Sequence, residues 1–276
     1  MTMNQGQESK IIRDPTIWRL PENDKSQGLS FNTANFRANP SSLSTVTYQA
    51  TQPLAMVQSE QSLDDWLEQL WTKPVQTKNT KPRNLTNEET SKLRTDTKAA
   101  LDFGKCRAKL NELLDSFGKK FKQKGLDGDK LTGIDALAEK FLQGKGHKLQ
   151  VEANIGARAD YLDKQIRFNE FHFTNDTYKL SNYKTFLHEL AHGFKDASQG
   201  VPHFDLASAI SKIEGIPQGD VGKYVDNYIK KMSDGTAEDD TKQRDDAYSN
   251  ILSTYIYKYC DKNADDKSVL DVVSSQ

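Results

Sequence analysis

The chain has 276 residues and a formal net charge of −1, and is 35% hydrophobic and 28% charged. At roughly 100–200 residues per domain, this length holds one large domain with a tail, or two small ones. The near-zero charge argues against a general nucleic-acid or membrane-surface binder, which would carry a basic excess, and no apolar run approaches the roughly 18–20 residues of a membrane span.

The first residues, MTMNQGQESKIIRDP, lack the apolar core of a Sec signal peptide. Of residues 1–62, 26 are Ser, Thr, Asn or Gln, and the apolar residues follow no period. Such a segment cannot bury enough apolar surface to offset its chain entropy, so it is expected to be disordered. A short helix is predicted from Ser62, where S-L-D-D caps a stretch with Leu63, Trp66, Leu67 and Leu70 on one face. Residues 73–85, with Pro74, Pro82 and several lysines, read as a linker. The compact domain is predicted over 86–262, after a leader, short helix and linker over 1–85 and before a flexible tail over 263–276.

T-N-E-E from Thr86 is a capping box, and Phe103, Cys106, Leu110, Leu113, Leu114, Phe117 and Phe121 recur in steps of three and four. One long amphipathic helix is expected there. Its outer face is basic, with ten Lys or Arg between 92 and 124 against four acids, which suits a solvated face or a dock for an acidic partner. D-G-D-K-L-T-G at 127–133 fails the calcium-loop pattern, lacking Gly at loop position six and Glu at twelve, and reads as a turn into a helix from Thr132 to about Gln143. Between 147 and 174 the period shortens, predicting two or three strands with a turn at Asp163-Lys164. Helices are expected over 181–199, 204–214, 220–233 and 241–260. The fold class is therefore α+β, mainly helical, with a small sheet before the helix at 181–199. Cys106 and Cys260 cannot build a disulfide framework and fit no zinc ribbon; they are expected to be reduced and unpaired.

The chemistry concentrates at H-E-L-A-H, residues 188–192. Residues four apart share a helix face, so His188 and His192 can reach one metal ion, with Glu189 beside them to take a proton from water. With five His in the chain, such a motif has a chance expectation of about 0.004 per chain on composition alone. Zinc in a hydrolase takes three protein ligands and leaves a fourth position open. The metzincin pattern would need Gly at 195 and a ligand at 198, where this chain has Lys195 and Ser198. Asp246, Asp245, Glu214, His203 and Asp196 remain as candidates for the third ligand. His203 could alternatively donate to an oxyanion, as could Tyr248 or Tyr255.

His188 to Gly200, H-E-L-A-H-G-F-K-D-A-S-Q-G, resembles the active-site helix of thermolysin-type gluzincins, with Asp four residues after the second histidine and Gly four further. That family places its third ligand on a second helix in the pattern N-E-x-x-S-D, to which D-D-A-Y-S-N at 245–250 is similar. The resemblance implies a zincin-like catalytic domain in which Asp246 is the third ligand and Asn250 holds the outer nitrogen of the first histidine. The sequence departs from the pattern by Asp for Glu and Asn for Asp, and by a longer gap, nearer that of toxin-type gluzincins.

Together these readings imply a zinc-dependent endopeptidase with catalytic Glu189 and metal ligands His188, His192 and Asp246, acting on a protein substrate as a monomer. The β segment 159–171 is expected to offer an edge strand to an extended peptide. The alternative is a scaffold protein with structural zinc that docks through the basic helix 86–124; a nucleic-acid module would rest on that helix alone and lacks interleaved aromatics. A polar leader before a compact HExxH domain is similar in layout to bacterial effector proteases exported by specialised secretion systems. That layout implies a non-Sec route and action in a host cytosol, with a cytoplasmic peptidase as the other outcome.

Overall fold

Thr86 opens the first long helix through a reciprocal cap. Its hydroxyl accepts from the Glu89 N–H at 3.1 Å, while its own N–H donates to the Glu89 carboxylate at 2.7 Å. The computed structural model describes residues 81–153, 155, 159–174, 182–195, 199–264 and 267–274; the polar leader and the helix expected from Ser62 lie outside these residues. The part expected as linker already contributes structure, because β1 (Arg83–Asn84) pairs antiparallel with β4 (Lys148–Glu152), and Arg83 bonds Glu89 at 2.8 Å.

The long helix expected from Thr86 is two helices, α1 (Asn87–Asp102) and α2 (Cys106–Asp115). Gly104 sits between them at φ +48, a left-handed conformation that side chains other than glycine's rarely adopt. The apolar period hides the break because Leu101, Cys106, Leu110, Leu113 and Leu114 of both helices are buried in one core. The chain then forms a hairpin that the periodicity did not predict, β2 (Lys122–Lys124) with β3 (Lys130–Thr132), before α3 (Gly133–Leu142). Thr132 does precede α3, but its hydroxyl makes no cap; the Asn111 side chain accepts from the Ile134 N–H instead, at 2.8 Å.

The expected strands are β4, β5 (Ala159–Leu162) and β6 (Gln165–Asn169), and they form a mixed sheet in the order β1-β4-β6-β5. β4 and β6 run parallel and β5 is antiparallel to β6. Asp163 and Lys164 make the β5–β6 turn with φ values of +51 and +61, as a two-residue hairpin of this twist requires. Leu149, Val151, Tyr161, Ile166 and Phe168 are buried on the inner face. Arg167 sits on the opposite face between Asp160 at 2.7 Å and Glu152 at 3.3 Å. Residues 171–174, expected as strand, form the short helix α4 (Phe171–Thr174).

Four longer helices complete the fold: α5 (Asn182–His192), α6 (His203–Glu214), α7 (Gln218–Met232) and α8 (Ala237–Cys260). α8 packs against α2, α5, α6 and α7, with Ile251, Leu252, Tyr255 and Ile256 almost fully buried. Its C-terminal residue, Cys260, is disulfide-bonded to Cys106 at the start of α2, so the expectation of free thiols is wrong. Two cysteines 154 residues apart carry no sequence signal for pairing; the fold brings them together by laying α8 on α2. The expected tail carries α9 (Val269–Ser274), whose Val269 is fully buried. The described part is thus mainly helical with a small sheet, and none of its helices is long and apolar enough to cross a membrane.

Candidate metal centre

α5 is anchored at its first residue. His172 Nδ1 donates to the Asn182 side-chain oxygen at 2.9 Å, and Asn182 Nδ2 donates back to the His172 carbonyl at 3.1 Å. Phe186, Leu187, Leu190 and Ala191 are fully buried, which fixes the rotation of the helix and aims His188 and His192 along one side. After His192 the chain makes one 3-10 turn (Gly193–Lys195), and then doubles back through Gly200 at φ +75. The reversal is closed by two bonds: the Val201 N–H donates to the His192 carbonyl at 2.7 Å, and His192 Nδ1 donates to the Val201 carbonyl at 2.6 Å. A side chain at 200 would meet the Tyr161 ring at 2.8 Å and His192 Cβ at 3.1 Å, so the close passage needs glycine.

This reversal delivers His203, the first residue of α6, to the HExxH pair. One ring nitrogen from each of His188, His192 and His203 lies within 4.8 Å of the other two, and His188 Nε2 is 3.2 Å from His203 Nε2. The outer nitrogens are all engaged. His188 Nδ1 pairs with Ser253 Oγ at 3.1 Å, His192 Nδ1 with the Val201 carbonyl, and His203 Nδ1 with the Asp245 carboxylate at 3.0 Å. Partners of this kind fix ring orientation and tautomer, leaving the inner nitrogens to face a common point. Three convergent imidazoles are a donor set that fits a divalent transition metal and leaves further coordination positions open.

The electrostatics agree with that role. Burial, reinforced by neighbouring His203, lowers His188 well below the usual imidazole range and lowers His192 to about 3. Both rings are therefore uncharged at neutral pH, the form that binds a metal. Burial also pushes the Glu189 carboxyl up to about 8, with the negative charge of Asp160 adding to the effect. A group titrating this near neutrality can both accept and release a proton. The hydrogen bond from His203 holds the Asp245 carboxyl below the usual carboxylate range.

Asp246 is not brought to the histidines. α8 turns Asp245 and Ser253 toward α5 and α6, and Asp246 lies one residue, about 100°, further round the helix. There its carboxylate accepts from Lys242 Nζ at 2.9 Å. Asn250, on the same side as Asp246, donates to the Tyr224 hydroxyl at 3.4 Å and leaves the outer nitrogen of His188 to Ser253. The third histidine of the cluster is His203, which the sequence offered only as one candidate among five. Glu214 is engaged with Tyr259 at 2.7 Å and Lys258 at 2.9 Å, and Asp196 lies outside the described residues. Tyr255 donates to the Lys109 carbonyl at 3.0 Å in the core, and Tyr248 packs edge-on against Phe204 with ring centroids 5.3 Å apart. Ser253, the partner of His188 Nδ1, was missed, because it is one of several polar residues, with Ser249, Asn250 and Thr254, in the buried part of α8. No protein-family model matches the chain, and neither a curated protein nor a solved structure matches it.

Proposed function

We propose that the chain is a zinc-dependent endopeptidase that hydrolyses peptide bonds of a protein substrate. The observation that carries this reading is the convergence of His188, His192 and His203 beside the buried carboxyl of Glu189. A zinc ion held by these three imidazoles would supply a Lewis acid that polarises a carbonyl and acidifies water. Glu189 would take the proton of the attacking water on its carboxylate and pass it to the leaving amine. Ser253, Asp245 and the Val201 carbonyl hold the rings in place while this happens. β5 supports an extended substrate: it ends the sheet on one side among the described residues, and its Tyr161 ring is 6.5 Å from that of His192. Main-chain pairing along such an edge accepts many peptide sequences. Export by a non-Sec route, as an effector acting in a host cell, rests on the layout of the chain. The Cys106–Cys260 bond suits an oxidising compartment, where such bonds persist, and weighs against long residence in a reducing cytosol.

The test is metal content and proteolysis measured side by side. The wild-type chain is expected to hold one zinc ion and to cleave an unfolded protein substrate in a chelator-sensitive manner. Glu189→Ala should keep the zinc and lose turnover by about 10²–10⁴-fold. Retained cleavage in that variant would remove Glu189 from the mechanism, and zinc-loaded wild type that cleaves nothing would leave a structural zinc site.

A further inference from the structure

The basic excess between 92 and 124 is not spread over a helix face. On α1 and α2 the cations are largely neutralised within the fold: Lys92 by Asp96, Arg94 by Glu139, Arg107 by Asp102 and Asp135, and Lys109 by Glu112 and Glu214. Lys119, Lys120, Lys122, Lys124 and Lys130 are all exposed, and none of them forms an ion pair among the described residues. Lys122 and Lys124 alternate along β2 and so share a face, with Thr132 and Lys130 directly opposite them in register. The directly opposed Lys124 and Lys130 repel each other, an arrangement that weakens a hairpin. The other face holds the ribbon firmly. Phe121 is buried, Gln123 Nε2 donates to the Gln143 side chain at 2.9 Å, and Gln143 Nε2 donates to the Lys124 carbonyl at 2.9 Å.

We propose that this lysine face of the β2–β3 hairpin is a docking surface for an acidic, extended segment of a partner protein. Side chains on one face of an extended peptide repeat every ~6.5–7 Å, the spacing between Lys122 and Lys124, so acids at alternate positions meet the lysines in register. An arriving carboxylate between Lys124 and Lys130 relieves their repulsion, and the braced ribbon orders little on binding. The face presents no aromatic ring for base stacking, which disfavours single-stranded nucleic acid. The proposal does not depend on the peptidase reading.

The experiment is fluorescence anisotropy of a labelled peptide of alternating glutamate and serine, titrated with the full-length chain at 50 and 200 mM salt. Binding is expected to weaken with salt, and Lys122→Glu/Lys124→Glu/Lys130→Glu should lower affinity more than tenfold, while Lys98→Glu on α1 changes it less than twofold. Lys130→Glu alone places opposite charges across the hairpin, so it should lower affinity while keeping the thermal midpoint at or above wild type, which separates lost binding from lost folding. Equal peptide affinity for the triple variant and the wild type would overturn the proposal. So would a peptide that does not bind while vesicles of 70:30 phosphatidylcholine:phosphatidylserine, or labelled oligothymidylate, bind through the same lysines.

Discussion

The Asp245 carboxylate accepts from His203 Nδ1 at 3.0 Å, which turns the other nitrogen of His203 toward His188 and His192. Metal-binding histidines depend on such partners, and losing one typically costs 10–100-fold in metal affinity. Asp245→Asn keeps an acceptor but removes the charge, and is expected to weaken zinc binding by about tenfold. His203→Ala should weaken it much further, because one of three donors is lost. Asp246→Ala, whose carboxylate serves Lys242, should bind zinc as wild type does. Competition against a calibrated chelator checks all three. The reverse ranking of the last two variants would return the third position to Asp246.

The helices α3 and α5 to α8, the strands β4 to β6 and the turn at Asp163-Lys164 were legible because each rests on local chemistry: periodicity, caps and turn residues. The convergence of His188 and His192 was legible for the same reason, since four-residue spacing on one helix is a local fact. The approach of His203 was not, because it depends on the Gly200 reversal, and nothing at 203 itself distinguishes a clustered histidine from a surface one. Within D-D-A-Y-S-N the structure turns Asp245 toward His203 and Asp246 toward Lys242: a step of about 100° round α8 separates the two, and the rotation of the helix is set by the packing of Ile251, Leu252 and Tyr255. The hairpin β2–β3 was invisible because its Lys and Gln residues carry little strand preference, and the Cys106–Cys260 bond because it joins residues 154 apart.

That disulfide encloses every element of the candidate centre, since α5, α6 and the partner residues of α8 all lie between positions 106 and 260. Joining residues 154 apart removes many open conformations from the unfolded chain. Cys106→Ala/Cys260→Ala is expected to lose about 2–5 kcal/mol, read from urea unfolding midpoints. Wild-type protein unfolded in a strong reductant should show a shift of the same size. A double variant as stable as the oxidised wild type would refute a stabilising role for the bond.

Acid should unfold the domain partly through Glu214. Burial opposes its charge, but the Tyr259 hydroxyl and the Lys258 and Lys109 ammonium groups outweigh burial and hold its carboxyl below the usual carboxylate range. A depressed folded-state pKa means that the unfolded chain binds more protons, so this contribution is present above the ordinary glutamate pKa of about 4.3. It is lost as pH falls through the lower folded value. Glu214→Gln is therefore expected to reduce stability at pH 7 and to flatten the decline below pH of about 4.5, as measured by urea midpoints across that range. A variant whose stability falls with acid as steeply as wild type would show that other carboxylates govern the transition.

Two glycines with positive φ separate backbone strain from site geometry. Gly235 lies at φ +85 with open space where a side chain would go, whereas at Gly200, φ +75, an added methyl would meet Tyr161 at 2.8 Å and His192 at 3.1 Å. Gly235→Ala should cost only the backbone penalty, about 1–2 kcal/mol, and leave zinc affinity unchanged. Gly200→Ala carries the same penalty and also forces Tyr161 or the reversal to move. The reversal holds both the His192–Val201 bonds and the approach of His203, so this variant is expected to lose more stability than Gly235→Ala and to lose zinc affinity as well. Thermal midpoints together with chelator competition give both readings on the same samples. Equal zinc affinity in the two variants would mean that the histidine cluster does not depend on the turn at Gly200.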